Sequence, residues 1–519
     1  MAPFGVALGL GLTMPILAGA CPAGPAATVP AAAAASPLAW TSCGPRTDPT
    51  SRCATLGVPL DWSDPDGPTT TLAIARHPAT DQAHRIGTLL FMPGAGVSVV
   101  NQVASPSSGG LGPAEELARR FDLVGIDPRG GGLDLTLGEH DATVHSAPLD
   151  CALPFNSPTV TRFPSDQAAF AALRGRNGAL AASCRGGGDG GASRASLVGQ
   201  VDAVSQARDA EAVRRALGEP VLSWFAWTYA SLVAQTYAHL YPDRVRAMVI
   251  DSPLDHSVPT ARYVREQVLA VEESFRRFTA WCDRAPDCAL HGQDVAAVYD
   301  ELIARATREP IPTPGVDHPV TGEEISFMTM YALANGNLPA GHGGWADLAY
   351  GLRQAQLGNS LFGQAYPYNF GPAYYHPYRA VGCLDFRNEL PAGDGAAFAE
   401  LQRLRTEIRA LAPHTRGAAD SWDYLTGCLG WPYPPRVDAR PPRVQGTPPI
   451  LLVVTRHNPL APYTLALRVA DEIEHAAVAR YDGDAHIAFF NSRCVADLEQ
   501  RYLVTAAAPP PGTSCADGS

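Results

Sequence analysis

The 519-residue chain contains no lysine; all 39 of its basic residues are arginine. That absence excludes Schiff-base chemistry on a lysine and a phosphate-binding P-loop, which needs one. Charge is sparse too, at 17% of residues, and the net −12 is scattered without a basic cluster, which argues against nucleic acid as a partner. No Cys-x-x-Cys spacing suggests zinc, and no metal or other cofactor is expected. Internal repeats are missing, and beyond the first 20 residues no apolar run is long enough to span a membrane. What is plentiful is apolar: 46% hydrophobic residues, enough for a large core.

The N-terminus opens with "FGVALGLGLTMPILAGA", an apolar run of 17 residues, followed by Cys21 and an Ala/Pro-rich stretch. Residues 1–20 read as a signal peptide and 21–38 as a spacer. Ala18-Gly19-Ala20 suits signal peptidase, and Cys21 directly after it offers a lipid anchor. Against this, no Lys or Arg precedes the run, and the leucine sits one place early for a good lipobox. Setting Cys21 aside leaves ten cysteines, which fall into neighbours along the chain: 43 with 53, 151 with 184, 282 with 288, 383 with 428, 494 with 515. Sequence does not fix their connectivity, but five bridges in a secreted or cell-surface protein is the economical expectation.

Short apolar runs ending in turn chemistry recur along the chain: "GTLLFMPGAG", "FDLVGIDPRGGG", "VLSWFAW", "RAMVIDSP" and "PPILLVVTRHNP". Helical patterns such as "SQARDAEAVRRALGE" and "PYTLALRVADEIE" lie between them. Before them, "CATLGVPLDWSDPDGPTTTLAIARHPA" alternates as an antiparallel pair around Pro-Asp-Gly. The alternation predicts an α/β fold, a mostly parallel sheet covered on both faces, with ligands at the carboxyl ends of its strands. From 256 to 445 the pattern turns helical and then rich in Pro, Gly and Tyr. We read that span as a cap inserted between two parts of a core, 39–255 and 446–519.

The decisive stretch is "VLSWFAWTYASLVAQTYAHLYPDRVRAMVIDSPLD": strand, sharp turn, helix to Pro242, second strand. That layout matches the strand–elbow–helix that presents the nucleophile in α/β-hydrolases. Together with "CATLGVPLDW", "FDLVGIDPRGGG", "VGCLDF", "CLGWPYPP" and "DGDAH…SRCVADLEQRYL", it resembles the exported tripeptidyl-aminopeptidase-like branch of that superfamily, relatives of prolyl iminopeptidases. The resemblance implies an α/β-hydrolase fold and a serine hydrolase acting on peptides from their free N-terminus under a helical cap.

Four departures fall on the positions that carry the chemistry. Thr228 stands in the place of the family's serine, and Ala226 and Ala230 in the places of its flanking glycines. Asn458 in "TRHNPLAP" occupies the place of the acid, and the oxyanion loop has become "MPGAGV". His486 is unaltered. A β-branched residue tolerates the strained elbow poorly, and its methyl crowds an incoming carbonyl. Asn458 can hold the His486 ring but carries no charge to balance an imidazolium, and an amide can set the wrong tautomer; the comparable change in a Ser-His-Asp triad costs about 10,000-fold in rate.

The expected site is therefore Thr228, His486 and Asn458, with oxyanion donors near Gly94, Ala95 and Tyr229. Asp251 and Asp255 are alternative positions for the acid. Asp385 is a candidate for binding a substrate ammonium, with a salt bridge to an arginine as its ordinary alternative. Trp227, Tyr374 and Tyr375 are candidate substrate contacts, from an aromatic group that also holds Tyr366, Tyr368, Phe370 and Tyr378. Three readings stand: a slow peptidase- or esterase-like hydrolase taking a small peptide or small molecule; a non-hydrolytic acid–base catalyst on a small-molecule natural product, as in secondary metabolism; and a catalytically dead exported binding protein.

Overall fold

The computed structural model describes residues 38–94, 98–105, 114–131, 144–155, 157, 160–186, 197–337, 341, 343–362, 371–436 and 443–518. The expected signal peptide, Cys21 and all but the last residue of the spacer lie outside the described residues, as do Ala95, Tyr366, Tyr368 and Phe370.

The strands, in chain order, begin with β1 (Thr41–Ser42), β2 (Arg52–Pro59), β3 (Thr69–His77), β4 (Gly87–Met92) and β5 (Phe121–Ile126). A small antiparallel pair, β6 (Leu149–Cys151) with β7 (Cys184–Gly186), precedes β8 (Leu222–Trp227) and β9 (Val245–Asp251). A second such pair is β10 (Ile311–Thr313) with β11 (Val316–Val320); β12 (Ile450–His457), β13 (Ala476–Asp484) and β14 (Ser514–Cys515) close the series.

Ten strands form one sheet in the order β1-β2-β3-β5-β4-β8-β9-β12-β13-β14. The first three join antiparallel, and from β5 to β14 every pairing is parallel. Burial explains the unbroken apolar runs. Every residue of β5 and β8 is buried, because helices cover both faces. Alternation then divides the side chains: Trp224 and Ala226 join one core layer, Phe225 and Trp227 the other.

Helix Ala203–Leu217 starts where Asp202 accepts the Ser205 amide at 2.9 Å and stops at Gly218 in the left-handed region, φ 72°. The helix after β8, Ala230–Leu240, ends just before Pro242. Helix Tyr463–Ala470 is shorter than its apolar pattern, which runs on to Glu474; Ile473 is instead buried in a turn leading into β13.

Between β9 and β12 the described residues are mainly helical; one apolar cluster is built almost wholly from them, and a second combines them with Phe170 and Leu173 of helix Gln167–Ser183. The longest helix among the described residues, Thr260–Arg284, buries Val264, Val268, Val271, Phe275, Phe278 and Cys282, a spacing of three and four that puts them on one face. Five disulfides join Cys43–Cys53, Cys151–Cys184, Cys282–Cys288, Cys383–Cys428 and Cys494–Cys515, each cysteine to its neighbour along the chain. No helix of the described residues is long and apolar enough to cross a membrane.

Candidate functional site

Thr228 follows β8 directly and adopts φ 51°, one of four non-glycine residues in the left-handed region among those described. For a β-branched residue this backbone costs about 1–2 kcal/mol, and the surroundings hold it there. Its N–H donates to the Asp251 carbonyl at 3.1 Å and its own carbonyl accepts from Ser231 at 2.9 Å. The hydroxyl donates to the Pro93 carbonyl at 3.0 Å. Gly94 lies against it: a Cβ there would come within 3.0 Å of Thr228 Oγ1, so the loop after β4 must stay bare to reach over the elbow. The Tyr229 N–H, at the start of helix Ala230–Leu240, has no backbone acceptor among the described residues.

His486 follows β13, and Asn458 follows β12. The His486 Nδ1 lies 3.2 Å from Asn458 Oδ1. Four further bonds fix which way the amide faces. Asn458 Oδ1 accepts from the Leu460 and Ala461 N–H groups, both at 3.0 Å, and Nδ2 donates to Ser252 Oγ and to the His486 carbonyl, both at 3.0 Å. With Oδ1 turned to the ring, Nδ1 must carry the proton, and Nε2 keeps its lone pair. The feared wrong tautomer is thereby avoided: the backbone turn after β12, not the ring, orients the amide. Burial pushes the His486 imidazole down to about 4, so it is neutral near pH 7. Among the described residues no hydrogen bond joins Thr228 to His486; the hydroxyl is bonded to the Pro93 carbonyl and the ring to Asn458.

Neither alternative acid faces the ring. The Asp251 carboxylate accepts from the Phe489 N–H at 3.0 Å and lies 3.4 Å from Ser252 Oγ. Asp255 takes Arg468 Nε at 3.0 Å and caps Ser257. Asp385 is fully buried at the end of helix Gly371–Asp385, and no arginine among the described residues pairs with it. Its oxygens accept from Tyr229 Oη at 2.9 Å and from the Ala203 N–H at 3.0 Å. Burial, and then the charge of Asp202, push that carboxyl up to about 8.

Trp227 packs into the core, its ring 4.6 Å from Phe91 and 4.8 Å from Phe490 by centroids, because strand alternation turns it away from the Ala226 side. Tyr375 is buried against Phe155, and the side chain of Tyr374 lies outside the description. Tyr378 donates to Asp420 at 3.0 Å and meets the Tyr424 hydroxyl at 2.7 Å.

Two features escaped the sequence reading. Ser252, also in the left-handed region at φ 60°, donates its hydroxyl to the His486 carbonyl and so ties the end of β9 to the histidine loop. The side chain of Tyr229, considered only for its N–H, anchors the elbow to Asp385. A Ser directly after a buried strand that ends in Asp is a signal that could have flagged the first; nothing local in the sequence marks the second. Among the described residues no His/Cys/Asp/Glu group could hold a metal ion.

Residues 414–515 match the family of TAP-like proteins. Over its whole length the chain is similar to carboxylesterase B of Mycobacterium tuberculosis, 30% identical across 99% of this chain and 97% of that protein. It is similar also to the serine protease Hip1 of the same species, 25% identical over 92% of this chain and 91% of that one. The tripeptidyl aminopeptidase of Streptomyces coelicolor is 26% identical, covering 95% and 88%. With the strand–elbow–helix after β8 and the parallel sheet that carries it, these likenesses make the chain a member of the TAP-like family of α/β-hydrolase enzymes.

Proposed function

We propose that this enzyme hydrolyses ester or peptide bonds of small substrates through Thr228, His486 and Asn458, and that it does so slowly. The observation that carries the reading is the oriented amide: Asn458 presents Oδ1 to His486 Nδ1, which leaves Nε2 free to act as a base. In the reaction, the Thr228 hydroxyl turns from the Pro93 carbonyl, gives its proton to His486 Nε2 and attacks the substrate carbonyl. The oxyanion that forms is met by N–H groups at Tyr229 and in the loop after Gly94. His486 then returns the proton to the leaving group, and water releases the acyl group from Thr228 by the same route. Three features make this slow: the β-branched nucleophile, an amide without charge behind the imidazolium, and a ground state in which the hydroxyl is bonded elsewhere.

The relatives named as esterase, serine protease and tripeptidyl aminopeptidase support a carbonyl substrate, and five disulfides support an oxidising, extracellular setting. Incubation with a fluorophosphonate followed by mass mapping tests the reading. An adduct on Thr228, absent in His486→Ala, is expected, together with turnover of a p-nitrophenyl ester or an N-terminally free peptide anilide. The Thr228–Pro93 bond favours one second reading, acid–base catalysis by His486 without a covalent step. Under that reading no adduct forms, and Thr228→Val leaves the activity in place.

A further inference from the structure

Below the loops of the site, on the Phe225/Trp227 face of the sheet, helix Arg493–Thr505 lies against β9, with the Met248 N–H donating to Tyr502 Oη at 3.3 Å, and each of the two elements buries a carboxyl group there. Asp251 ends β9 and is fully buried; Glu499, on helix Arg493–Thr505, is fully buried against the same face. Strand parity turns Asp251 to that side with Ala247 and Val249, and helix spacing turns Glu499 to it with Val495, Ala496, Tyr502 and Leu503. Their supports differ. Asp251 accepts from the Phe489 N–H and meets Ser252 Oγ, whereas no N–H or hydroxyl donor reaches either oxygen of Glu499 among the described residues. A buried ionised carboxylate without donors is very costly, so Glu499 is the member that carries a proton.

Other charged groups around the pair are engaged elsewhere. Arg246, earlier on β9, gives its guanidinium to the Leu503 and Val504 carbonyls. Tyr502 donates to the Pro449 carbonyl. On the neighbouring helix Glu115–Arg120, Arg119 and Arg120 pair with Glu116 at the surface. On β12, strand parity puts Thr455, which is uncharged, on the same face as Leu451 and Val453.

Asp251 touches both halves of the site. Its main-chain carbonyl holds the Thr228 N–H at 3.1 Å, its carboxylate holds the Phe489 N–H three residues after His486, and Ser252 next to it bonds the His486 carbonyl. We propose that Asp251 and Glu499 form a buried acid pair sharing one proton, and that Glu499, by keeping Asp251 seated, is a positioning residue for His486. Burial raises both carboxyls above their ordinary range, and the Asp251 charge raises Glu499 further. Because their folded values lie above the unfolded ones, the stability the pair contributes is complete at low pH and is lost as pH rises.

The positioning role rests on His486 being the working base, so the test uses readouts that need no substrate. Wild type, Glu499→Gln and Glu499→Leu are melted between pH 5 and 8, with histidine Cε1 labelled by carbon-13 and the His486 signal assigned from His486→Gln. Glutamine imitates the protonated acid, so the Tm of Glu499→Gln relative to wild type should rise by about 2 °C or more from pH 5 to pH 8. The His486 signal should keep its position in Glu499→Gln and move or broaden in Glu499→Leu, which has no polar group for Asp251. Parallel Tm curves overturn the shared proton, and an unmoved His486 signal in Glu499→Leu overturns the positioning role. Should Glu499→Gln not fold, Asp251→Asn is held to the same Tm criterion. If the melts and spectra come out as expected and no hydrolysis is found, the acid pair stands and only the proposed reaction falls.

Discussion

A threonine hydroxyl at φ 51° must leave the Pro93 carbonyl before any base can take its proton, and its methyl group narrows the rotamers by which it can do so. Serine has no such methyl. Thr228→Ser with Asn458→Asp should therefore raise hydrolysis of an ester or peptide anilide by ~100-fold or more, since a missing triad acid alone accounts for that much. Each single change should do far less, because nucleophile, base and acid act as a unit. An inert but folded double variant would mean that the loop after Gly94 no longer supplies an oxyanion donor. The histidine allows a separate check. Its imidazole is pushed down to about 4 by burial, so kcat/KM should fall only below about pH 4 and stay flat above. A charge at position 458 favours the imidazolium, so Asn458→Asp should move that acid limb upward by about 1–3 units. A limb that stays put under this change would remove His486 from the role of base.

At the scale of elements, the elbow and helix Gly371–Asp385 are joined by one phenol–carboxyl contact, Tyr229 to Asp385. The carboxyl, raised to about 8 by burial and the charge of Asp202, lies well above the unfolded value of about 3.9. Its contribution to stability is thus whole below about pH 4 and is lost as pH climbs toward 8. Asp385→Asn removes the ionisation, so its Tm relative to wild type should improve steadily from pH 5 to 8; a constant offset across that range would contradict the shift.

The elements themselves were legible because parallel strands buried on both faces leave unbroken apolar runs, as in "FDLVGI" and "LSWFAW". Thr228, Asn458 and His486 were legible as positions, the first two directly after a strand and the third two residues beyond one. Illegible were the contacts made across long separations. No spacing announces that Tyr229 reaches Asp385, 156 residues away, or that Ser252 reaches the His486 carbonyl, 234 away. The Asp385 environment went the same way: its charge looked available to a substrate until the fold enclosed it.

Across the whole molecule, the five bridges all close short loops, with separations of 10, 33, 6, 45 and 21 residues. The order of the parallel sheet is therefore set by its core, and each disulfide stiffens only its own neighbourhood. The loop-entropy argument ranks them, at about 4 kcal/mol for Cys383–Cys428 and about 2 kcal/mol for Cys282–Cys288. Position separates them further. Cys383 lies two residues before Asp385, and Cys428 follows the Tyr424 that stacks on Phe386 with centroids 3.9 Å apart. Breaking that bridge loosens the seat of Tyr229 and, through it, the elbow. Cys282–Cys288 closes the end of helix Thr260–Arg284, in the cluster with Val295 and Tyr299, where no residue of the proposed site lies. Replacing Cys383 and Cys428 by alanine should cost both stability in urea unfolding and kcat/KM on the ester substrate. The same replacement at Cys282 and Cys288 should cost stability alone, and about half as much. Equal losses of activity in the two variants would show that the elbow does not depend on its anchor at Asp385, and that the Tyr229 contact is packing without consequence for the reaction.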